Sequence, residues 1–216
     1  TKMKRKLIAL LIFLIAPPAA FSMKASPGPD KNSLREGDII FIHSTSAQAS
    51  AIEEATASSW THVGVLIKRD TSWHVAEAAK NVTLTPLAEF IERSRDRGFE
   101  IKRLKKWRVS PEKKAVTRLK KWLLDKIGKK YDIYFEWSDD ALYCSEYVWK
   151  AYFYALNGHP ALSRPQKFAD MKLDGPMAEK LITKRYTAAG KKLNMNETIV
   201  TPAALYNSAE LESATR

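Results

Sequence analysis

One cysteine in 216 residues is the first constraint on this chain. It excludes an intramolecular disulfide framework and any zinc cluster built on paired thiols. No glycine-rich phosphate loop and no metal-ligand spacing of histidines or carboxylates occurs, so neither a cofactor nor a metal is expected. Acidic residues are few beside basic ones, 24 against 36, for a formal net charge of +12. No apolar run is long enough to cross a bilayer: the longest, Leu7 to Ala16, has ten residues, where a span of the ~30 Å hydrocarbon layer takes about 20. Internal repeats are absent too. What remains is enough length for one domain with a real core and too little for two of ordinary size.

The apolar run has a different meaning. Lys4, Arg5 and Lys6 precede it, Pro17-Pro18 end it, and Ala20-Phe21-Ser22 offers small residues where a signal peptidase reads. Residues 1–22 therefore read as a signal peptide, 23–36 as a linker, and 37–216 as a single domain of an exported bacterial protein, periplasmic or secreted. The absence of a cysteine after the run excludes a lipoprotein. Without Lys2, Lys4, Arg5 and Lys6 the chain keeps 32 basic against 24 acidic residues, a net +8. Outside the cytoplasm that charge points to an anionic envelope surface, not to nucleic acid.

The patterning predicts an α+β domain. Gly37-Asp38 opens a buried strand at Ile39–Ile42, and the small residues from Ala47 to Ser59 carry a short helix. Trp60–Leu66 and Trp73–Ala78 read as a hairpin across Lys68-Arg69-Asp70-Thr71. Pro86 starts a helix over Leu87–Arg93, and Phe99–Trp107 reads as a further strand. After Ser110-Pro111-Glu112, apolar residues from Ala115 to Ile127 recur at helical spacing up to Gly128, with lysines on the other face. Leu142–Leu156 is apolar almost all round and should be the central buried helix; Ala178–Thr183 and Thr201–Leu205 are shorter helical elements.

Cys144 falls in the first turns of that central helix, near the positive end of its dipole, where a thiolate is favoured. A lone cysteine there is buried and inert, paired between chains, or reactive. Acyl chemistry needs a histidine beside it. Of His43, His62, His74 and His159, hairpin arithmetic selects one. A turn centred between Arg69 and Asp70 sets His62 directly opposite Glu77, a carboxylate able to orient the imidazole, and turns His74, opposite Val65, to the other face. His43 and His159 read as structural or surface residues.

Gly37-Asp38-Ile39-Ile40-Phe41, Trp60-Thr61-His62-Val63-Gly64-Val65, Glu77-Ala78, Thr85-Pro86-Leu87, Tyr131-Asp132 and above all Tyr143-Cys144-Ser145-Glu146 together resemble the circularly permuted papain-like amidases of the YiiX/YaeF group, within the NlpC-like superfamily. The resemblance runs from about Gly37 to about Leu205. It implies an antiparallel sheet packed against a central helix carrying the cysteine, with Cys144 as nucleophile, His62 as base and then acid, and Glu77 as orienting residue. The implied reaction is hydrolysis of an amide bond in a small-molecule, peptide or lipid-linked substrate. Acyl transfer or lipid deacylation, and a non-catalytic binding module, are the alternatives. For the oxyanion, the Cys144 backbone N–H and either Tyr143 or a group of the Ser44–Gln48 loop are expected donors. Cys144→Ser should abolish turnover of any verified substrate while circular dichroism and unfolding midpoint stay unchanged; full activity in the folded variant would remove the nucleophile from this scheme.

Overall fold

A computed structural model describes residues 28–109 and 111–214; the signal-peptide reading lies outside them. Six antiparallel strands form one sheet: β1 (Ile39–Ser44), β2 (His62–Arg69), β3 (Ser72–Ala78), β4 (Val82–Pro86), β5 (Ser94–Leu104) and β8 (Leu211–Ser213), in the order β4-β3-β2-β1-β5-β8. A small ribbon pairs β6 (Gln166–Lys167) with β7 (Thr198–Ile199). The helices are α1 (Ala49–Thr56), α2 (Leu87–Glu92), α3 (Lys113–Asp125), α4 (Cys144–Ala155), α5 (Pro176–Ala188) and α6 (Pro202–Tyr206). None of the described helices is long and apolar enough to cross a membrane.

Strand alternation divides the interior in two. Ile39, Phe41, Val63, Val65, Ile67 and Ala76 face one way, onto the buried side of α4 and Leu119 and Leu123 of α3. Ile40, Ile42, Leu66 and Val75 face the other, onto Leu87, Phe90 and Ile91 of α2 and Leu34. The chain is already packed at this point: Leu34 is buried and Arg103 donates to the Ser33 carbonyl at 2.9 Å. Nine of the twelve residues of α4 are buried, which is why its apolar positions encircle it. The α3 helix lays only Ala115, Leu119 and Leu123 into the core and leaves Lys113, Lys114 and Lys121 exposed. Across the first interface Tyr147 Oη donates to the Leu123 carbonyl at 2.8 Å, and Arg118 Nε to that of Ala155 at 2.8 Å. A buried ion pair, Arg103 Nε to Asp38 Oδ1 at 2.7 Å, ties β5 to the start of β1.

The structure departs from the sequence expectation at several edges. The residues before the helix expected from Pro86 form β4, an edge strand running to Pro86, where a residue without an N–H is tolerated because no further strand needs the donor. β5 begins at Ser94, ahead of Phe99, and ends at Leu104, so that Lys105–Trp107 form a 3₁₀ turn in place of a strand end. α5 is longer than Ala178–Thr183, starting with Pro176 at its first position.

The hairpin register differs by two residues. Arg69 pairs with Ser72, Ile67 with His74 and Val65 with Ala76, so the turn residues are Asp70 and Thr71, with Asp70 left-handed at φ 54°. Four polar residues in a row do not say which two are central, and aspartate accepts the left-handed region at little cost. His62 is thus not directly opposite Glu77; one step beyond Val65, the ladder sets Gly64 there. A shift of two keeps every residue on its face, so His62 and Glu77 are diagonal neighbours on one side and His74 remains on the other. Gly64 makes the diagonal usable. A β-carbon on it would stand 2.3 Å from Val75 Cγ1 and 3.4 Å from Glu77 Cβ. Gly64→Ala should therefore cost about 1–3 kcal/mol of stability in urea unfolding, as overpacking does, and displace Glu77. An unchanged midpoint would show that the site tolerates the added methyl.

Candidate active site

The first residue of β2 and the first residue of α4 carry the candidate site, and they meet where β2 begins. His62 projects toward α2, its ring stacked on Phe90 at 5.5 Å between centroids. Its Nε2 stands 2.5 Å from Glu77 Oε2, which leaves Nδ1 for the Cys144 sulfur. Burial alone would push the His62 pKa down, but hydrogen bonds to Cys144 and Glu77, with their charges, raise it from 6.5 to about 9. The raised pKa favours the imidazolium form of the ring, which stands beside the sulfur.

Glu77 is completely buried, which would raise its pKa, yet His62, Arg93 and Thr85 hold it down at about 2. Oε2 takes His62; Oε1 accepts the Thr85 hydroxyl at 2.5 Å and a guanidinium N–H of Arg93. Arg93 is the residue that sequence reasoning passed over, treated there only as a helix end. Its signal was positional: a basic residue closing a helix whose first residue follows the Thr85-Pro86 strand end.

Tyr131 completes the group from the other side. Its hydroxyl accepts from Gln48 Nε2 at 2.9 Å, and Gln48 Oε1 in turn accepts from Arg185 at 2.7 Å. Burial and the neighbouring Cys144 keep its pKa well above the ordinary value, so the phenol is neutral with its own proton free to donate toward the sulfur. Of the Ser44–Gln48 loop, from which a donor was expected, Gln48 bonds the Tyr131 hydroxyl. Tyr143 points elsewhere: its hydroxyl accepts the Val200 amide at 3.1 Å and its ring packs on Phe135. The Cys144 N–H, first in its helix, has no backbone partner among the described residues. His43 packs on Trp60, His74 is half-buried on the other face of the sheet, and His159 is exposed.

One cavity adjoins Cys144 and a second adjoins His62, and the two share Tyr131. The first is narrow and lined almost wholly by carbon, with Ile52, Ala55, Phe135, Phe168, Ile182 and Ile199 around Cys144. The other, wider, is lined by His62, Gln48, Lys80, Arg93 and Arg185.

The model of the permuted papain-like amidase enzymes, YaeF/YiiX, C92 family, matches residues 33–214. The chain belongs to this family. It is 32% identical to the uncharacterized protein YiiX of Escherichia coli K12, over 99% of this chain and 96% of that protein. A crystal structure of YiiX from Escherichia coli O157:H7 superposes with a TM-score of 0.76 at 33% identity, covering 84% of this chain and 96% of that one. The α+β permuted papain-like fold, with the histidine strand ahead of the cysteine helix, is therefore established. That crystal structure is described as a metalloprotein. In this chain, among the described residues, no group of three or more His, Cys, Asp or Glu side chains is arranged to hold a metal ion.

One further carboxylate lies under the site. Glu146, fully buried two residues after Cys144, has its pKa raised to about 7 by burial, with Lys150 Nζ 2.8 Å away only partly opposing this. A raised acid destabilises the fold once ionised, so its penalty develops as pH rises from about 4.5 to about 7. His62, raised, contributes stability below 6.5 that is lost as pH rises toward 9; Glu77, lowered, contributes stability above 4.5 that is lost as pH falls toward 2. Stability should peak in mildly acidic buffer. Glu146→Gln should flatten the decline between pH 4.5 and 7 in urea midpoints and leave the decline above it; an unaltered profile would locate the penalty elsewhere.

Proposed function

We propose that the protein is an exported cysteine hydrolase that cleaves an amide bond through Cys144, His62 and Glu77, its substrate carrying an apolar acyl group. The observation that carries this reading is the cysteine at a helix start, beside an imidazole held by a buried carboxylate, at the mouth of a carbon-lined cavity.

The reaction follows from the positions. The Cys144 thiolate attacks the substrate carbonyl carbon, whose oxygen takes the negative charge and meets the Cys144 N–H and the Tyr131 hydroxyl. The carbon–nitrogen bond then breaks, and the amine leaves with a proton from His62, now neutral. Water attacks the thioester, giving its proton to the same imidazole, and the acid departs as the thiolate is restored. Glu77 keeps the ring aimed and its cation stable throughout, while Thr85 and Arg93 keep Glu77 in place. The Arg185–Gln48–Tyr131 chain fixes the phenol in one orientation with its proton outward.

The narrow apolar cavity favours an acyl chain over a peptide side chain, and so supports a lipid-linked amide over an ordinary peptide. The lysine-rich outer face of α3 suits the anionic envelope surface on which such a substrate would be met. The test is a series of N-acyl p-nitroanilides from acetyl to dodecanoyl. Release of nitroaniline should rise at least about tenfold in kcat/KM with chain length, intact mass should show an acyl group on Cys144, and Glu77→Gln should lower turnover roughly 10²–10⁴-fold. No turnover and no adduct with a folded protein would overturn the reading.

A further inference from the structure

The second cavity is where the leaving group must go, and its charge is one-sided. Acylation puts the carbonyl carbon on Cys144 and hands a proton from His62 to the departing amine, so the amine half lies on the His62 side. That side is the second cavity, which His62 lines. Three cationic side chains line it, Lys80, Arg93 and Arg185, and no carboxylate does. Ser44, Ser46 and Gln48 add polar groups.

The cations are not used up by the fold. Lys80 is exposed, and its side chain makes no hydrogen bond or ion pair among the described residues. Arg93 spends one N–H on Glu77, while its Nε is buried and without a hydrogen-bond partner. Arg185 gives one N–H to Gln48 Oε1 and one to the Ile133 carbonyl, leaving three of the five donors of a guanidinium. The nearest carboxylates are engaged: Glu77 with His62, Thr85 and Arg93, and Asp132 with the amides of Tyr134 and Glu136. An arginine not fully paired and a lysine with no counter-ion line one cavity, and together they describe half of an ion pair.

We propose that this cavity is an anion site, and that the amine half of the substrate carries a carboxylate or phosphate held by Lys80, Arg93 and Arg185. This deepens the hydrolase reading and rests on it for the orientation of the substrate. The substrate class becomes an amphiphile, an N-acyl chain in the apolar cavity and an anionic amine component in the basic one.

Three probes share a dodecanoyl chain: N-dodecanoylglycine, the neutral N-dodecanoylglycinamide, and N-dodecanoyl phosphoethanolamine. Calorimetric binding to Cys144→Ser protein separates recognition from chemistry. At least one anionic probe should bind about tenfold more tightly than the glycinamide at low salt, with the advantage shrinking as salt rises. The tighter of the two anions tells whether the group is an amino-acid carboxylate or a phosphate headgroup. Lys80→Gln, at an exposed position that should not disturb folding, should reduce the advantage several-fold without weakening the glycinamide, and Lys80→Arg should retain it. Equal affinities for all three probes, binding of none, or an advantage untouched by Lys80→Gln would overturn the anion site. If wild-type protein hydrolyses the glycinamide but anions gain nothing, the hydrolase reading stands and this one falls. If nothing is hydrolysed and the anions still bind more tightly, the reverse holds.

Discussion

A carboxylate with no exposure to solvent governs this structure. Glu77 stays ionised in the interior only because it is met by donors from three different elements, His62 of β2, Thr85 of β4 and Arg93 at the end of α2. An unpaired buried charge costs several kcal/mol, so the strand register, the edge strand and the short helix are all constrained by the need to satisfy it. The same arrangement keeps the His62 imidazolium charged to about pH 9 and directs its other nitrogen at Cys144. Support of the fold and orientation of the imidazole are one interaction.

Around that centre the two faces of the sheet do different work. The α4 face is a continuous apolar layer that seats the cysteine helix rigidly, tied by Tyr147 and Arg118 to α3. The α2 face holds the charged cluster, with Phe90 stacked on the imidazole to limit its motion. The cysteine on one layer and the imidazole on the other meet only where the strand begins. Permuting the chain order leaves this geometry intact, because it depends on which elements are neighbours and not on which is made first.

Tyr131 stands on the wall between the two cavities. One side of it is carbon and the other is cationic, so the reacting carbonyl would sit at a boundary of polarity. Such a boundary orients an amphiphile without many specific contacts: the chain is driven out of water, and the charged end is held near fixed charge. The Arg185–Gln48–Tyr131 chain joins the basic side to the phenol, so one arginine contributes to both.

Much of this was legible beforehand because it is written locally. The buried strand Ile39–Ile42, the all-round apolar α4, Cys144 at its start and the amphipathic α3 follow from residue periodicity, which neighbours in sequence decide. That His62 and Glu77 share a face also follows, since alternation along a strand survives any even shift. Their pairing did not: the turn residues Lys68 to Thr71 permit more than one centre, and packing at Gly64 and Val75 selects Asp70-Thr71. The contacts of Arg93, Gln48 and Arg185 were beyond reach for a different reason. These residues lie 16, 83 and 137 residues from the partners they bond, Arg93 to Glu77, Gln48 to Tyr131 and Arg185 to Gln48, and no local pattern marks a long-range polar contact. Local order decided which elements form and which faces they bury; only the closed sheet and its helices decided which charges meet, because a buried charge is satisfied by whatever the fold brings beside it.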